Sequence, residues 1–376
     1  MVIAYIYSNL PSYRRDFFTL LNSQLSEENV TLMVMYGTLT DKKVVKQDTG
    51  SEYQTYPFQS SKHKMGIISL VTIDGLYGKF KEIQPDAVIM SYVSTNVTML
   101  KVARYCMDHG IPYATWRCGY NRDYSSLAAK IRGALINYVE KHANYNITYG
   151  TWYRNELLKK GIPEDHIVIA QNTINTDGIL KENADLVRDY KHSVTKVLYV
   201  GSLIPAKHLP SSINAIKKLV DKGINVTFDI VGGGEVLEVL KTQVRTLKLE
   251  EFVRIHGPKY GDEVKKFFRE SDLFLAAGTG GLAINEAMAY GLPLVTTNAD
   301  GTICDLIDGN GFFMEKFGDA DLQAQLIEKF ALLSSEEKSK MSARSREIIG
   351  TKATLKNMVA KHKLVCDKLL KINRNK

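Results

Sequence analysis

The chain alternates short apolar runs with amphipathic segments, and it does so in two successive series. In the first series, Val2–Tyr7, Val30–Tyr36, Ala87–Met90, Tyr113–Trp116 and Ile167–Ala170 are short, β-branched or aromatic, and typical of buried strands. Helical patterns lie between them. Parallel strands need helical crossovers, so this alternation predicts a parallel sheet covered on both faces.

A second series of the same kind begins near residue 195. Its predicted strands are Lys196–Val200, Val226–Val231, Val253–Ile255, Leu273–Ala276 and Leu294–Thr297, with helices at Asp262–Glu270 and Leu282–Tyr290. The fold class is therefore α/β, with two Rossmann-like, doubly wound parallel-sheet domains facing a central cleft. Ligands of such sheets bind beyond the carboxyl ends of the strands, so the loops after the strands are where a site is expected.

Domain boundaries follow from the polar segment between the two series. The stretch 172–193 carries few apolar residues and is predicted to be the linker. We therefore expect an N-terminal domain at 1–188 and a C-terminal domain at 189–350. Residues 351–376 are expected to form a helix that packs back on the N-terminal domain.

Charge and cysteine content narrow the function classes. The chain has 376 residues, 49 Lys plus Arg against 41 Asp plus Glu, and a formal net charge of +8, which favours an anionic partner. Its four cysteines form no CxxC pair, so we expect reduced thiols and neither a zinc site nor a disulfide framework. The N-terminus does not resemble a signal peptide, and no apolar run is long enough to cross a bilayer. A cytoplasmic protein is expected.

The loop after the predicted strand Leu273–Ala276 carries the strongest chemical signal. It contains Gly278, Gly280 and Gly281 and leads directly into a helix. Glycines allow a ligand close to the backbone, and the free N–H groups at the helix start attract an anion such as a pyrophosphate. Glu286, about one turn further on, is suited to accept hydrogen bonds from the paired hydroxyls of a ribose.

The stretch from this loop through Glu286–Ala289 and Gly291–Pro293 resembles the signature of retaining GT-B glycosyltransferases of the family-4 type (glycosyl transferases group 1), in particular members that build bacterial polysaccharides. In that signature two glutamates are usual. Glu286 matches the second, which in the family binds the ribose of the nucleotide-sugar donor, whereas Gly278 stands where the first, a sugar-binding Glu, is expected. Gly280, Gly281, Leu282 and Ala283 would bind the diphosphate through their amides.

Other segments match the family in the same order along the chain. Gly201–Lys207 resembles a loop whose lysine faces the donor phosphates, so Lys207 and Glu286 are the candidate catalytic residues, and Ser202 replaces the usual Arg. Further donor-binding candidates implied by the resemblance are Gly233, His256 and Gly257. On the acceptor side of the cleft the matching positions are Ser8, Asn9, Arg117 and Cys118, and Cys118 replaces the usual His.

The resemblance implies that a sugar passes from a nucleoside diphosphate sugar to a glycan or to a polyprenyl-diphosphate-linked glycan, with retention and without a metal or another cofactor. Basic residues of the N-terminal half and of the C-terminal tail would suit an anionic membrane surface, which would make the protein peripheral on the inner face of the membrane. Nucleic acid has no supporting motif. Two alternatives stay open: a nucleotide-sugar-binding protein with weak or no transferase activity, and a GT-B sugar epimerase.

Overall fold

The computed structural model describes residues 1–38, 53–65, 68–119, 126–298 and 300–375, and the described chain forms two compact units. The first contains residues 1–174 and 355–376, and the second contains residues 175–354. Both are sheets with helices on their two faces, as the alternation of apolar runs predicts.

The first unit is built on an eight-stranded sheet in the order β4-β3-β2-β1-β5-β6-β7-β8. All neighbours are parallel except β3 and β4, which pair antiparallel at one edge. Its strands are β1 (Val2–Tyr7), β2 (Thr31–Thr38), β3 (Gln54–Met65), β4 (Ile68–Ile73), β5 (Ala87–Met90), β6 (Tyr113–Arg117), β7 (Tyr145–Thr148) and β8 (Ile167–Ile169), and its helices before the crossing to the second unit are α1 (Arg15–Ser26), α2 (Leu76–Ile83), α3 (Val97–His109), α4 (Leu127–His142) and α5 (Thr151–Lys159).

The second unit has a six-stranded parallel sheet in the order β11-β10-β9-β12-β13-β14. Its strands are β9 (Thr195–Val200), β10 (Val226–Val231), β11 (Val253–Gly257), β12 (Leu273–Ala276), β13 (Leu294–Thr297) and β14 (Gly311–Met314), and its helices are α6 (Thr176–Glu182), α7 (Leu209–Asp221), α8 (Leu237–Thr246), α9 (Asp262–Glu270), α10 (Ala283–Ala289), α11 (Ala320–Ala331) and α12 (Ser335–Lys352).

The boundary between the units lies earlier than the sequence predicts. The segment expected to be a linker contains α6, which packs on α10 and α12 of the second unit. Thr176 donates a hydrogen bond to the Ala353 carbonyl at 2.9 Å, and the Arg188 guanidinium donates to backbone carbonyls of the same unit, including that of Tyr290 at 2.7 Å. Because these contacts are all to the second unit, the domain change falls after Ile174 and not after residue 188.

The last helix, α13 (Leu355–Arg374), returns to the first unit and packs against α1 and the sheet. Its buried face contributes Met358, Val359 and Leu369 to the core around β1. The ring of His362 is fully buried, and its Nδ1 lies 3.0 Å from the hydroxyl of Tyr5. This basic tail is therefore a structural part of the first unit, and its Lys363 is ion-paired with Glu28 and Asp367.

Candidate functional site: the glycine-rich loop after β12

The glycine-rich loop packs directly on the segment that carries Lys207. The N–H of Thr279 donates to the Ala206 carbonyl at 2.9 Å, and the hydroxyl of Thr297 donates to the Gly278 carbonyl at 3.0 Å. A Cβ atom on Gly278 would lie 2.3 Å from the Ala206 carbonyl oxygen and 2.6 Å from the Cα of Lys207. Both atoms belong to backbone, so the glutamate usual in the family cannot stand at this position without displacing the lysine segment.

Lys207 lies across the glycine-rich loop, and its ammonium group is hydrogen-bonded to carbonyls of that loop. The Nζ donates to the carbonyls of Thr279 at 2.6 Å and of Gly280 at 2.9 Å. Burial lowers the pKa of Lys207, and the charge of Asp300 opposes that effect. An ammonium group has three donors, so one remains for a ligand beyond the two that hold the loop.

These groups surround a cavity of about 270 Å³ within the second unit. Lys207 and the backbone of residues 278–283 form one side of it. Among the described residues, nothing accepts a hydrogen bond from the N–H groups of Gly280, Gly281, Leu282 and Ala283. The lining residues are Tyr199, Val200, Gly201, Ser202, Lys207, Phe274, Ala276, Gly278, Thr279, Gly280, Gly281, Leu282, Ala283 and Ile284. One cation and four unpaired amides on one cavity form a site that an anion would fill.

Glu286 follows one turn into α10 and is not among the residues that line this cavity. Its carboxylate makes no side-chain hydrogen bond within the described chain. Burial raises the pKa of Glu286 to about 7, and the nearby charge of Lys265 acts in the opposite direction. Such a group has unused acceptor capacity and changes its charge close to neutral pH.

The remaining predicted donor-binding residues are only partly brought to the cavity. Ser202 lines it, and its carbonyl accepts a hydrogen bond from the Tyr199 hydroxyl at 2.9 Å. Gly233 lies in the loop after β10 and Gly257 is the last residue of β11; the Gly233 carbonyl accepts from the N–H of Leu203, and the Gly257 carbonyl accepts from the N–H of Gly232. These two glycines hold the loops together and do not line the cavity.

His256 is not brought to the cavity of Lys207. Its Nε2 lies 2.6 Å from a carboxylate oxygen of Asp229, and its ring contacts Phe267. His256, Asp229 and Phe267 all line a second cavity of about 460 Å³, under α9. The alternation of side chains along β11 explains this, because the ring of His256 points to one face of the sheet and not past the strand end.

The four predicted acceptor-side residues lie in the first unit. Ser8 accepts a hydrogen bond from the Asn96 amide at 3.0 Å, and Asn9 follows it in the same loop after β1, partly buried. Arg117 donates to Glu140 at 2.7 Å. Cys118 is partly exposed, and none of the four cysteines, all of which lie in the described ranges, forms a disulfide.

Two residues, Thr279 and Tyr199, contribute to the site although no sequence motif marks them. Thr279 supplies a carbonyl to Lys207, and Tyr199 supplies both a wall of the cavity and a hydrogen bond that fixes the loop after β9. Their position at the ends of adjacent strands is the signal that could have found them, because such ends meet at one edge of the sheet.

Metal-ligand clusters and membrane spans were searched in the described ranges. No group of three or more His, Cys, Asp or Glu side chains is placed there to hold a metal ion. Within the same ranges, no helix has the length and apolar character that crossing a bilayer requires.

Residues 187–348 match the family model described as glycosyl transferases group 1. Among curated proteins, the chain is 31% identical over 185 residues to the amylovoran biosynthesis glycosyltransferase AmsK of Erwinia amylovora, covering 46% of this chain and 44% of that protein. It is 27% identical over 208 residues to the putative colanic acid biosynthesis glycosyltransferase WcaL of Escherichia coli K12, covering 52% and 49%. The matched region thus spans about half the length of these curated relatives.

Solved structures extend the likeness to the whole fold. The Anabaena protein Alr3699/HepE, solved in complex with UDP, superposes with a TM-score of 0.72 at 14% identity, covering 98% of this chain and all of that one. The prediction of a GT-B fold with two parallel-sheet domains is confirmed, and so is the family resemblance.

Proposed function

We propose that this chain is a glycosyltransferase that moves a sugar from a nucleoside diphosphate sugar to a glycan acceptor in cell-surface polysaccharide biosynthesis. Its residues 187–348 match the family model described as glycosyl transferases group 1. The observation that carries the proposal is the cavity with one ammonium and four unpaired amides. Curated relatives that act in amylovoran and colanic acid biosynthesis support the acceptor class. The Anabaena neighbour, solved also with UDP-glucose, supports a nucleotide-sugar donor.

In the proposed mechanism the donor diphosphate occupies the cavity beside Lys207. As the bond from the anomeric carbon to the phosphate oxygen breaks, negative charge grows on the leaving diphosphate and the sugar becomes oxocarbenium-like. The third donor of Lys207 and the amides of residues 280–283 stabilise that charge from fixed positions, so little reorganisation is needed during the reaction. The acceptor hydroxyl attacks the face that the diphosphate leaves and gives its proton to the departing phosphate oxygen, so the anomeric configuration is retained.

Glu286 is proposed to hold the donor through the two hydroxyls of the ribose. Its free carboxylate oxygens can each accept one hydrogen bond, and they do so best when the group is ionised. The charge on the diphosphate is balanced by a lysine and by backbone dipoles. We therefore propose that the reaction needs no metal ion and no other cofactor.

The function is tested with the purified chain in two steps. Thermal unfolding with UDP, GDP, ADP and NAD is expected to show stabilisation by a nucleoside diphosphate and none by NAD. Mass spectrometry of a donor panel, with and without lipid-linked or free glycan acceptors, then identifies the sugar transferred. No stabilisation by any nucleoside diphosphate would contradict the proposal.

The replacement of the family's first Glu by Gly278 favours one alternative, a protein that binds nucleotide sugars and transfers them poorly or not at all. The same mass spectrometry distinguishes it, because such a protein binds the donor but yields no acceptor product. A sugar epimerase would instead release an altered sugar without any acceptor.

The proposed lipid-linked acceptor places the enzyme on a membrane surface, and the exposed face of α4 supports this. Leu127, Ile131 and Tyr138 are 74%, 49% and 42% exposed and lie on one stripe of the helix. Lys130 and Lys141 border that stripe. An apolar stripe bordered by cations is typical of helices that lie in an anionic lipid surface. The basic residues 42–46 that the sequence also suggests for this role lie outside the described residues.

Replacing Leu127 and Ile131 together with glutamine is expected to weaken binding to phosphatidylglycerol vesicles by about tenfold or more, because two aliphatic side chains no longer enter the lipid. Vesicle flotation at low and high salt measures the binding. Leu332→Gln, at an exposed leucine of the second unit, is the matched control and should bind like the unaltered protein. Absence of vesicle binding by the unaltered protein at both salt concentrations would exclude this surface.

A further inference from the structure

A groove of about 430 Å³ lies between α4 and α5 of the first unit, beyond the end of β6. It is separate from the cavity at Lys207, with which it shares no residue. Its lining includes the cations Arg117, Lys130 and Lys160, the aromatic rings of Trp152 and Tyr153, and one acid, Glu156.

The charge of the groove is set by a buried carboxylate at its base. Glu140 has no exposed side-chain surface and is ion-paired with Arg117 at 2.7 Å and with Lys160 at 3.3 Å. The hydroxyl of Tyr153 also donates to it. Among the described residues, two cations thus share this one carboxylate.

Lys130 adds a further cation. It is exposed on α4 and lines the groove, and its ammonium group makes no ion pair or hydrogen bond within the described ranges. The one further acid of the lining, Glu156, is paired with Lys159 at 2.7 Å outside the groove. The groove therefore presents net positive charge, and Lys160, which is 29% exposed, can reach a ligand there.

An aromatic wall stands beside these cations. Trp152 is partly exposed and lies 6.2 Å from Tyr153, ring centre to ring centre, at an angle of 21°. Gly119 has a φ of +68°, and a Cβ there would lie 1.7 Å from the Tyr153 ring. Glycine at this position lets the backbone close against the ring, so the wall is formed before any ligand arrives.

We infer that the groove between α4 and α5 binds an anionic sugar, whose carboxylate or phosphate lies between Lys130 and Lys160 and whose ring lies against Trp152. The cations recognise the oxyanion, and the flat indole matches the apolar face of a sugar ring. Asn137 at the wall supplies an amide for the hydroxyls. This inference rests on the proposed function only in naming the ligand as part of the acceptor glycan. It follows from this inference that the acceptor sugar bound in the groove is acidic and not neutral.

Calorimetric titration tests the groove by direct binding, with UDP present at saturation so that the donor cavity is not available. The probes are D-glucuronic acid, glucose 6-phosphate and D-glucose. We expect at least one of the two acids to bind about tenfold more tightly than glucose. Lys130→Gln combined with Lys160→Gln should remove that advantage while leaving glucose binding unchanged. A preference between the two acids identifies the oxyanion as carboxylate or phosphate.

Lys101→Gln is the matched control, since it removes the same charge from an exposed position of α3 in the same unit and lies outside the groove. Equal binding of all three sugars, no binding of either acid, or an equal loss in the Lys101 variant would overturn the inference. Stabilisation by UDP is measured in parallel on the same samples. If the acids bind and UDP does not, the donor assignment fails and the groove stands, whereas the reverse result removes the groove alone.

Discussion

Replacement of Lys207 with methionine is expected to lower kcat/KM for the nucleotide sugar by about 10²-fold to 10³-fold, the loss typical of removing one fixed donor that stabilises charge in a transition state. Methionine keeps most of the apolar stem and removes only the ammonium. The effect should appear mainly in kcat, because the charge on the leaving diphosphate grows during bond breaking. Steady-state kinetics with the donor identified by mass spectrometry measures both parameters.

Two further measurements separate this role from a structural one. Lys207 also donates to the carbonyls of Thr279 and Gly280, so the variant could loosen the loop. Thermal unfolding without ligand reports that loosening, while kcat reports the chemistry. Lys222→Met, at an exposed lysine of the same unit, should leave both values unchanged. A Lys207 variant with unaltered kcat would remove this residue from the mechanism, whatever its stability.

The C-terminal unit was the more predictable half because its strands are short, apolar and bounded by glycine or proline. The ranges predicted for β10, β12, β13 and α9 coincide with those in the structure. The same regularity places the loop ends at one edge of the sheet. The family resemblance predicts that Lys207 and the amides of residues 280–283 face the same diphosphate, and in the structure they line one cavity although they are more than seventy positions apart in the chain.

Other features depend on packing that no local pattern records. β3 carries polar residues and Pro57, so its sequence lacks the alternation of a half-buried strand, yet it pairs with both β2 and β4. The segment 172–193 contains few apolar residues but is fixed to the second unit by side-chain hydrogen bonds to backbone. His256 lies in a segment that the family resemblance marks as donor-binding, but the direction of its side chain depends on its position in β11. Contacts between distant segments decide the first two features, and the alternation along β11 decides the third.

At Gly278 the sequence and the structure give complementary information. From the sequence it is a position where a sugar-binding carboxylate is missing. In the structure it is the point where the loop touches the backbone of Ala206 and Lys207, at a distance that no side chain allows. Under the proposed function, the donor sugar is therefore held by other groups of this chain, and the proposed binding of its nucleotide by Glu286 and Lys207 becomes the more important contribution.

Glu286→Gln is expected to weaken UDP binding by about tenfold at pH 8, because glutamine replaces one of two charged acceptors for the ribose with a donor. It should at the same time make the free protein more stable. In the folded chain burial raises the pKa of Glu286 from 4.5 to about 7, so the fold favours the protonated carboxyl. The cost of ionising it is absent below about pH 4.5, grows as the pH rises to about 7, and is constant above that. The stability gained by the glutamine variant should follow the same course.

The pH dependence of binding distinguishes this role from a purely structural one. If the ribose requires the ionised carboxylate, the affinity of the unaltered protein for UDP falls below about pH 7, while that of the glutamine variant loses this dependence. The phosphates of UDP titrate in the same range, but their effect is common to both proteins and cancels in the ratio of the two dissociation constants. That ratio should approach unity near pH 5. Glu251→Gln, at an exposed acid of the same unit, should give a ratio near one at every pH. A ratio for Glu286→Gln that does not change between pH 5 and pH 8 would show that this carboxylate does not hold the donor.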